Sequence, residues 1–145
     1  MIREVDKDVF FCLSTNGLYL PKYAKEIAAL GVDYVTVTVN AITSNTGAHI
    51  YSFINDDGKK YVGEEAAALL LERQIEGLQL LGEYGVKVKI NTVAISGVNI
   101  QEIPAIEGKQ GVILRCPQYV HLGHLLQQGL YGVLTQVDDG GDVEL

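Results

Sequence analysis

Three stretches of the chain place polar side chains at every second residue. Cys12, Ser14 and Asn16 alternate with Leu13 and Thr15. Thr36, Thr38 and Asn40 alternate with Val35, Val37 and Val39. Lys87, Lys89 and Asn91 alternate with Val88 and Ile90. A period of two is that of a strand, so each polar set shares one face. Hydroxyl and carboxamide groups in such rows suit recognition of a ribose, a carboxylate or an amine. They do not suit nucleophilic catalysis, and no histidine lies near a candidate serine to build a Ser–His–Asp triad. Taken singly, Ser14, Asn16, Thr36, Thr38, Asn40, Lys89 and Asn91 each read as solvated sheet residues. On matched faces of three strands they read together as a ligand site. Cys12 has two readings, a small packed thiol or, because it sits on the polar face, a soft-metal ligand.

Other candidates carry less. Cys116, His121 and His124 fit no standard zinc spacing, and the two histidines can simply share one helix face. Asn55-Asp56-Asp57-Gly58 lacks the alternate acidic ligands and closing glutamate of a calcium loop, and reads as a turn. Gly97 and Asn99 also read as turn residues.

The elements that must position these residues follow from the hydrophobic pattern. Asp8 to Ser14 is the first predicted strand, and Gly17 lets the chain turn sharply after it. A helix opens at Leu20-Pro21 and closes at Gly31. Tyr34 to Asn40 is the second strand. The long polar connection from Ala41 to Gly63 is expected to contain a helix near Gly47 to Phe53. A helix from Glu64 to Tyr84 follows, acidic in its first turn, with Ala67, Leu71, Ile75 and Leu78 as its expected core stripe. Val86 to Val93 is the third strand. Beyond the Ser96–Asn99 turn the pattern weakens: Gly111 to Leu114 and Tyr131 to Val137 are candidate strands, Tyr119 to Gln128 a candidate helix, and Asp138 to Asp142 a frayed tail.

Strand–helix–strand crossovers of this length demand parallel pairing with right-handed connections. Strands covered by helices on both faces would be apolar throughout. These keep one polar face, as in a (β/α) barrel, open or closed, whose strands point valines at the helices and polar groups into a ligand-filled lumen. The expected fold class is therefore α/β, part of a TIM-like barrel. The 145 residues are 48% hydrophobic, enough for a real core, and the net charge of −7 opposes a nucleic-acid or anionic-membrane partner. A charged start without a signal-peptide core and two widely separated cysteines make the cytoplasm the expected compartment.

Cys-Leu-Ser-Thr-Asn-Gly at 12–17, Val-Asp-Tyr-Val-Thr-Val-Thr-Val-Asn-Ala at 32–41, and Val-Lys-Ile-Asn-Thr-Val at 88–93 with Gly-Val-Asn at 97–99 resemble middle strands of radical S-adenosylmethionine enzymes. Ile50 to Phe53, Asp57 to Tyr61, Gly63 and Leu70 to Gly77 are similar to the NifB-like maturases of nitrogenase cofactor within that superfamily. The resemblance covers about residues 9–99. It implies a partial (β/α) barrel, S-adenosylmethionine, and a [4Fe-4S] cluster that reductively cleaves it. It further implies transfer of a methyl carbon to a pair of [4Fe-4S] precursors that fuse around a carbide. By the same resemblance Ser14, Asn16, Asn40, Lys89 and Asn91 approach the nucleotide, and Cys12 helps hold a precursor cluster. Iron–sulfur cluster donors and cofactor carrier proteins are the implied partners.

The CxxxCxxC sequence that holds the radical cluster in this family is not in the chain, nor is the Gly-rich sequence for the methionine amine. The expectation is a middle-barrel fragment, inactive alone. Residues 1–99 are its central barrel part, and residues 100–145 a tail without resemblance. A non-catalytic ligand-binding or assembly module and a truncated gene product stand as alternatives.

Overall fold

The computed structural model describes residues 8–106 and 133–135. Strand β1 (Cys12–Thr15) starts later than the expected Asp8–Ser14 strand. Asp33 is the reason. Its carboxylate accepts the Phe11 N–H at 2.8 Å, and the Phe11 carbonyl accepts the N–H groups of Asp33 and Tyr34 at 3.0 and 3.1 Å. Those bonds commit the Phe11 peptide to the next connection, and regular pairing begins at Cys12. Helix α1 (Leu20–Ala29) has proline in its first turn, as the sequence predicts, and Gly31 follows it at φ 70°.

Strand β2 (Tyr34–Thr38) pairs in parallel with β1, Cys12 opposite Tyr34 and Ser14 opposite Thr36. Helix α2 (Ser44–Ile50) lies three residues earlier than expected. Thr43 sets its start, because its side chain caps the Thr46 N–H at 3.2 Å, and the chain is extended again at Tyr51. The expected turn at Asn55–Gly58 is present, but it joins two strands that the sequence reading treats as loop. These are β3 (Phe53–Asp56) and β4 (Lys59–Val62), paired antiparallel with Asp56 opposite Lys59. Asp57 and Gly58 take φ 45° and 84°, the positive values that a two-residue hairpin loop requires. An Arg73–Asp56 ion pair at 3.7 Å ties the hairpin to helix α3 (Gly63–Glu83).

The buried arc of α3 is rotated from the expected stripe. Ala67 and Leu78 are buried, but Leu71 and Ile75 are only half-buried; Leu70, Gln74 and Leu81 take the interior. The cause is that α3 packs against α1 and α2 as well as the sheet. A Cβ at Gly77 would overlap Leu20, and one at Gly47 would lie 2.7 Å from the Ala67 Cβ. Such close approaches fix the roll of the helix.

Strand β5 (Lys87–Val93) pairs in parallel with β2, Thr36 opposite Lys89 and Thr38 opposite Asn91. A short 3₁₀ turn (Ile100–Glu102) leads into helix α4 (Ile103–Ile106). Strand β6 (Val133–Thr135), inside the expected Tyr131–Val137 strand, runs antiparallel to β5. The sheet order is β1-β2-β5-β6, so the parallel part of the expected barrel is present and the fourth strand reverses direction. The predicted Gly111–Leu114 strand, Tyr119–Gln128 helix and Asp138–Asp142 tail lie outside the described residues.

One core cluster joins Val35, Val37, Val39, Val88 and Ile90 to Leu20, Ala24 and Ile27 of α1, Leu78 and Leu81 of α3, and Ile106 of α4. Each buried valine or leucine contributes about 1.5–3 kcal/mol. That asymmetry decides which face of the sheet meets the helices and leaves the polar rows on the other. No helix among the described residues is long and apolar enough to cross a membrane.

Candidate functional site

The parallel register aligns the polar positions in rows across three strands. Cys12, Tyr34 and Lys87 form one row, Ser14, Thr36 and Lys89 the next, and Thr38 with Asn91 the last. Side chains opposite one another in register project from the same face. Cys12 is exposed, and its Sγ lies 3.5 Å from Thr36 Oγ1. Ser14 is exposed as well. Lys89 and Lys87 hold their ammonium groups 4.6 and 5.2 Å from the Tyr34 ring centroid, within cation–π range. Lys87 also reaches the Tyr34 hydroxyl at 3.4 Å.

Asn91 is half-buried beside Thr38, Nδ2 to Oγ1 at 3.5 Å. Its Oδ1 is buried with no hydrogen-bond partner among the described residues. An unpaired buried acceptor costs about 1–3 kcal/mol and calls for a donor from elsewhere.

Asn16 and Asn40 occupy the rim beyond the strand ends. Asn16 Oδ1 accepts the Leu18 N–H at 3.1 Å, an Asx turn that shapes the exit from β1. Asn40 is buried, and its Oδ1 accepts the Val93 N–H at 2.9 Å. Burial pushes the Tyr51 hydroxyl above its ordinary pKa, while its hydrogen bonds with Asn40 pull the other way. The structure thus brings Cys12, Ser14, Lys89 and Asn91 together on one face. It commits the amide oxygens of Asn16 and Asn40 to the backbone of the rim.

Two residues that sequence reasoning missed, Gln74 and Glu102, and one that it read as a turn residue, Asn99, build that rim. Gln74, 2% exposed, donates from Nε2 to the carbonyls of Asn16 at 2.6 Å and Thr38 at 2.9 Å. Asn99, fully buried, donates from Nδ2 to the carbonyls of Asn40 and Val93, both at 2.8 Å, and accepts the Ile95 N–H at 2.7 Å. Glu102 accepts from the Ile42 N–H at 2.8 Å and from the hydroxyls of Thr43 and Thr46 at 2.6 Å each. Burial alone would raise the Glu102 pKa, but these donors outweigh it and hold the carboxyl below its ordinary 4.5. A signal for Gln74 was available: it sits at helical spacing between Leu70 and Leu78, a lone amide in an apolar stripe.

The donor set distinguishes the two groups that the resemblance implies. The orphaned Asn91 oxygen and the neighbouring hydroxyls fit a ligand rich in O–H and N–H donors, as S-adenosylmethionine is. They do not fit a radical cluster. Such a cluster needs several thiolates, while the sequence has only Cys12 and Cys116. Among the described residues no three His, Cys, Asp or Glu side chains group to hold a metal. Cys116, His121 and His124 lie outside those residues.

The family profile of the Radical SAM superfamily matches residues 1–107. The chain belongs to the radical SAM superfamily. Among curated relatives of this radical SAM chain, the FeMo cofactor biosynthesis protein NifB of Klebsiella pneumoniae is 46% identical over 99 residues, 68% of this chain and 21% of that protein. The protein of the same name from Chlorobaculum tepidum is 42% identical over 103 residues, 71% of this chain and 24% of its own. FeMo cofactor biosynthesis protein FixZ of Rhizobium leguminosarum is 46% identical over 97 residues, 67% of this chain and 21% of its own. This radical SAM chain spans about a fifth of the length of the curated relatives it matches.

Proposed function

We propose that the polar face of β1, β2 and β5 binds S-adenosylmethionine, as part of a maturase that builds the iron–sulfur–carbide core of nitrogenase cofactor. The observation that carries this reading is the in-register polar face with the buried Asn91 Oδ1, unpaired among the described residues, in its last row. The relatives named as FeMo cofactor biosynthesis proteins support the maturase part. Asn91 accepts a hydrogen bond from the nucleoside. Ser14 offers its hydroxyl to the same ligand, and Asn16 and Asn40 shape the rim around it. Lys89 keeps positive charge on a face whose substrates include anionic clusters. Bound there, S-adenosylmethionine supplies its transferable methyl and adenosyl groups.

Cys12 acts on the substrate side. Its exposed thiol holds a [4Fe-4S] precursor beside the nucleotide. The precursor arrives from iron–sulfur cluster donors, and the product leaves on a cofactor carrier protein. The sequence offers two thiols, Cys12 and Cys116, fewer than a radical cluster needs, so the chain alone binds the nucleotide without cleaving it.

Calorimetric titration of the full chain with S-adenosylmethionine tests the nucleotide part. Saturable binding is expected, weakened about tenfold or more in Asn91→Leu, which removes a hydrogen-bond partner. No heat of binding with the wild-type chain, or equal affinity in Asn91→Leu, contradicts the assignment.

A further inference from the structure

We propose that Gln74 and Asn99 are positioning residues, two carboxamide staples that hold the C-terminal rim of the parallel sheet in the shape the nucleotide needs. This rests on the reading that the polar face binds S-adenosylmethionine. The β1–β2 ladder ends at Thr15 opposite Val37, and the β2–β5 ladder at Thr38 opposite Asn91. Beyond these pairs β1 and β2 run into connections while β5 continues to Val93, and the Val39 N–H to Asn91 carbonyl, Thr92 hydroxyl to Val39 carbonyl and Val93 N–H to Asn40 Oδ1 bonds continue across β2 and β5.

The two amides take over where the ladders stop. Gln74 Nε2 bridges Asn16 O and Thr38 O, one carbonyl from each of the first two strand exits. Asn99 Nδ2 bridges Asn40 O and Val93 O, one from the same β2 exit and one from the end of β5. An amide nitrogen has two N–H donors in one plane, so a carboxamide that uses both sets the separation of the carbonyls it bridges. Each bridge includes the peptide of a candidate site residue, Asn16 in one and Asn40 in the other. Both amides are fully enclosed, at 2% and 0% exposure, and so cannot exchange these bonds for water. The approach to Gln74 also explains Gly17. A Cβ there would lie 2.7 Å from Gln74 Cγ, so the turn after Asn16 fits the staple only without a side chain.

The rim carries its own reporters. The Leu18 N–H bonds Asn16 Oδ1, and the Val93 N–H bonds Asn40 Oδ1. A residue that only stabilises the fold protects both amides alike. A positioning residue protects the one beside it. The test is residue-resolved hydrogen exchange on the full chain, with S-adenosylmethionine titration of the same samples. Gln74→Met should speed exchange at Leu18 about tenfold or more while Val93 changes little, and weaken S-adenosylmethionine by about tenfold. Asn99→Ala should give the reverse exchange pattern with a similar loss of affinity. Gln74→Glu, which keeps the length and removes the donors, should behave as Gln74→Met. Joint acceleration of Leu18 and Val93 in these variants, or failure of both Gln74 variants to fold, reduces the amides to stability and overturns the proposal. Equal affinity in wild type and variants overturns it while leaving the nucleotide site intact. A wild-type chain that binds no S-adenosylmethionine removes the nucleotide site itself, and this role with it.

Discussion

Cys12 and Thr36 meet across the first two strands, Sγ to Oγ1 at 3.5 Å, on the face that carries the lysines and Asn91. The contact leaves the thiol exposed rather than packed. In a full-length maturase carrying this segment, Cys12→Ala should lower bound iron while S-adenosylmethionine cleavage persists. Cys12→Ser, nearly the same size but a poorer soft-metal ligand, should do the same. Iron content and cofactor-core formation equal to wild type in Cys12→Ser would end the ligand role.

Glu102 makes stability depend on acid. Its folded pKa lies below the ordinary 4.5, so its contribution is fully present above that value. It is lost as pH falls through the depressed folded value. Glu102→Gln weakens the hold on Ile42, Thr43 and Thr46 and should cost about 1–3 kcal/mol at neutral pH. It should also flatten the fall in stability as pH drops below the ordinary glutamate value of 4.5. Denaturant titrations of both proteins across that range measure the two slopes. Parallel curves would show that Glu102 is not the acid-sensitive group.

Gly17 is constrained twice, by φ 88° and by the neighbouring Gln74. Gly17→Ala should therefore destabilise by about 1–3 kcal/mol, from left-handed strain and overpacking together. Gly58→Ala shares the positive φ but has no neighbour among the described residues within 4 Å of the added Cβ. It should cost less. Thermal melts of the pair separate strain from packing, and equal losses would show that contact with Gln74 is unimportant.

The parallel three-strand arrangement was legible because valine alternates with threonine in β2 and with lysine in β5, and because Pro21 and Gly31 bracket α1. The polar face followed from the same alternation. The hairpin was not read as strands because each arm is four residues long and Phe53 and Val62 stay exposed, so no apolar run marks it. Gln74, Asn99 and Glu102 were hidden for another reason. Their partners are 36 to 60 residues away except for the short-range bonds of Asn99, so the sequence marks Gln74 as a lone amide in an apolar stripe and Asn99 as a turn residue but does not show what either meets. The rotation of α3 was equally invisible, since it follows from contacts with α1 and α2 rather than from the helix's own spacing.

Catalysis by the chain alone is not expected. Reconstituted anaerobically with iron and sulfide and given reductant, it should form no 5′-deoxyadenosine from S-adenosylmethionine, because no three thiolates are present to hold the radical cluster. Turnover above a protein-free control would refute this.

The most direct measurement is residue-resolved chemical-shift mapping of S-adenosylmethionine on the labelled full chain. Shifts should concentrate at Ser14, Asn16, Thr36, Thr38, Lys89 and Asn91, the polar face and its rim. They should spare Val35, Val37, Val88 and Ile90, whose side chains face the helices. Shifts confined to the hairpin or to the exposed side of α3, or none at saturating ligand, would contradict the nucleotide site.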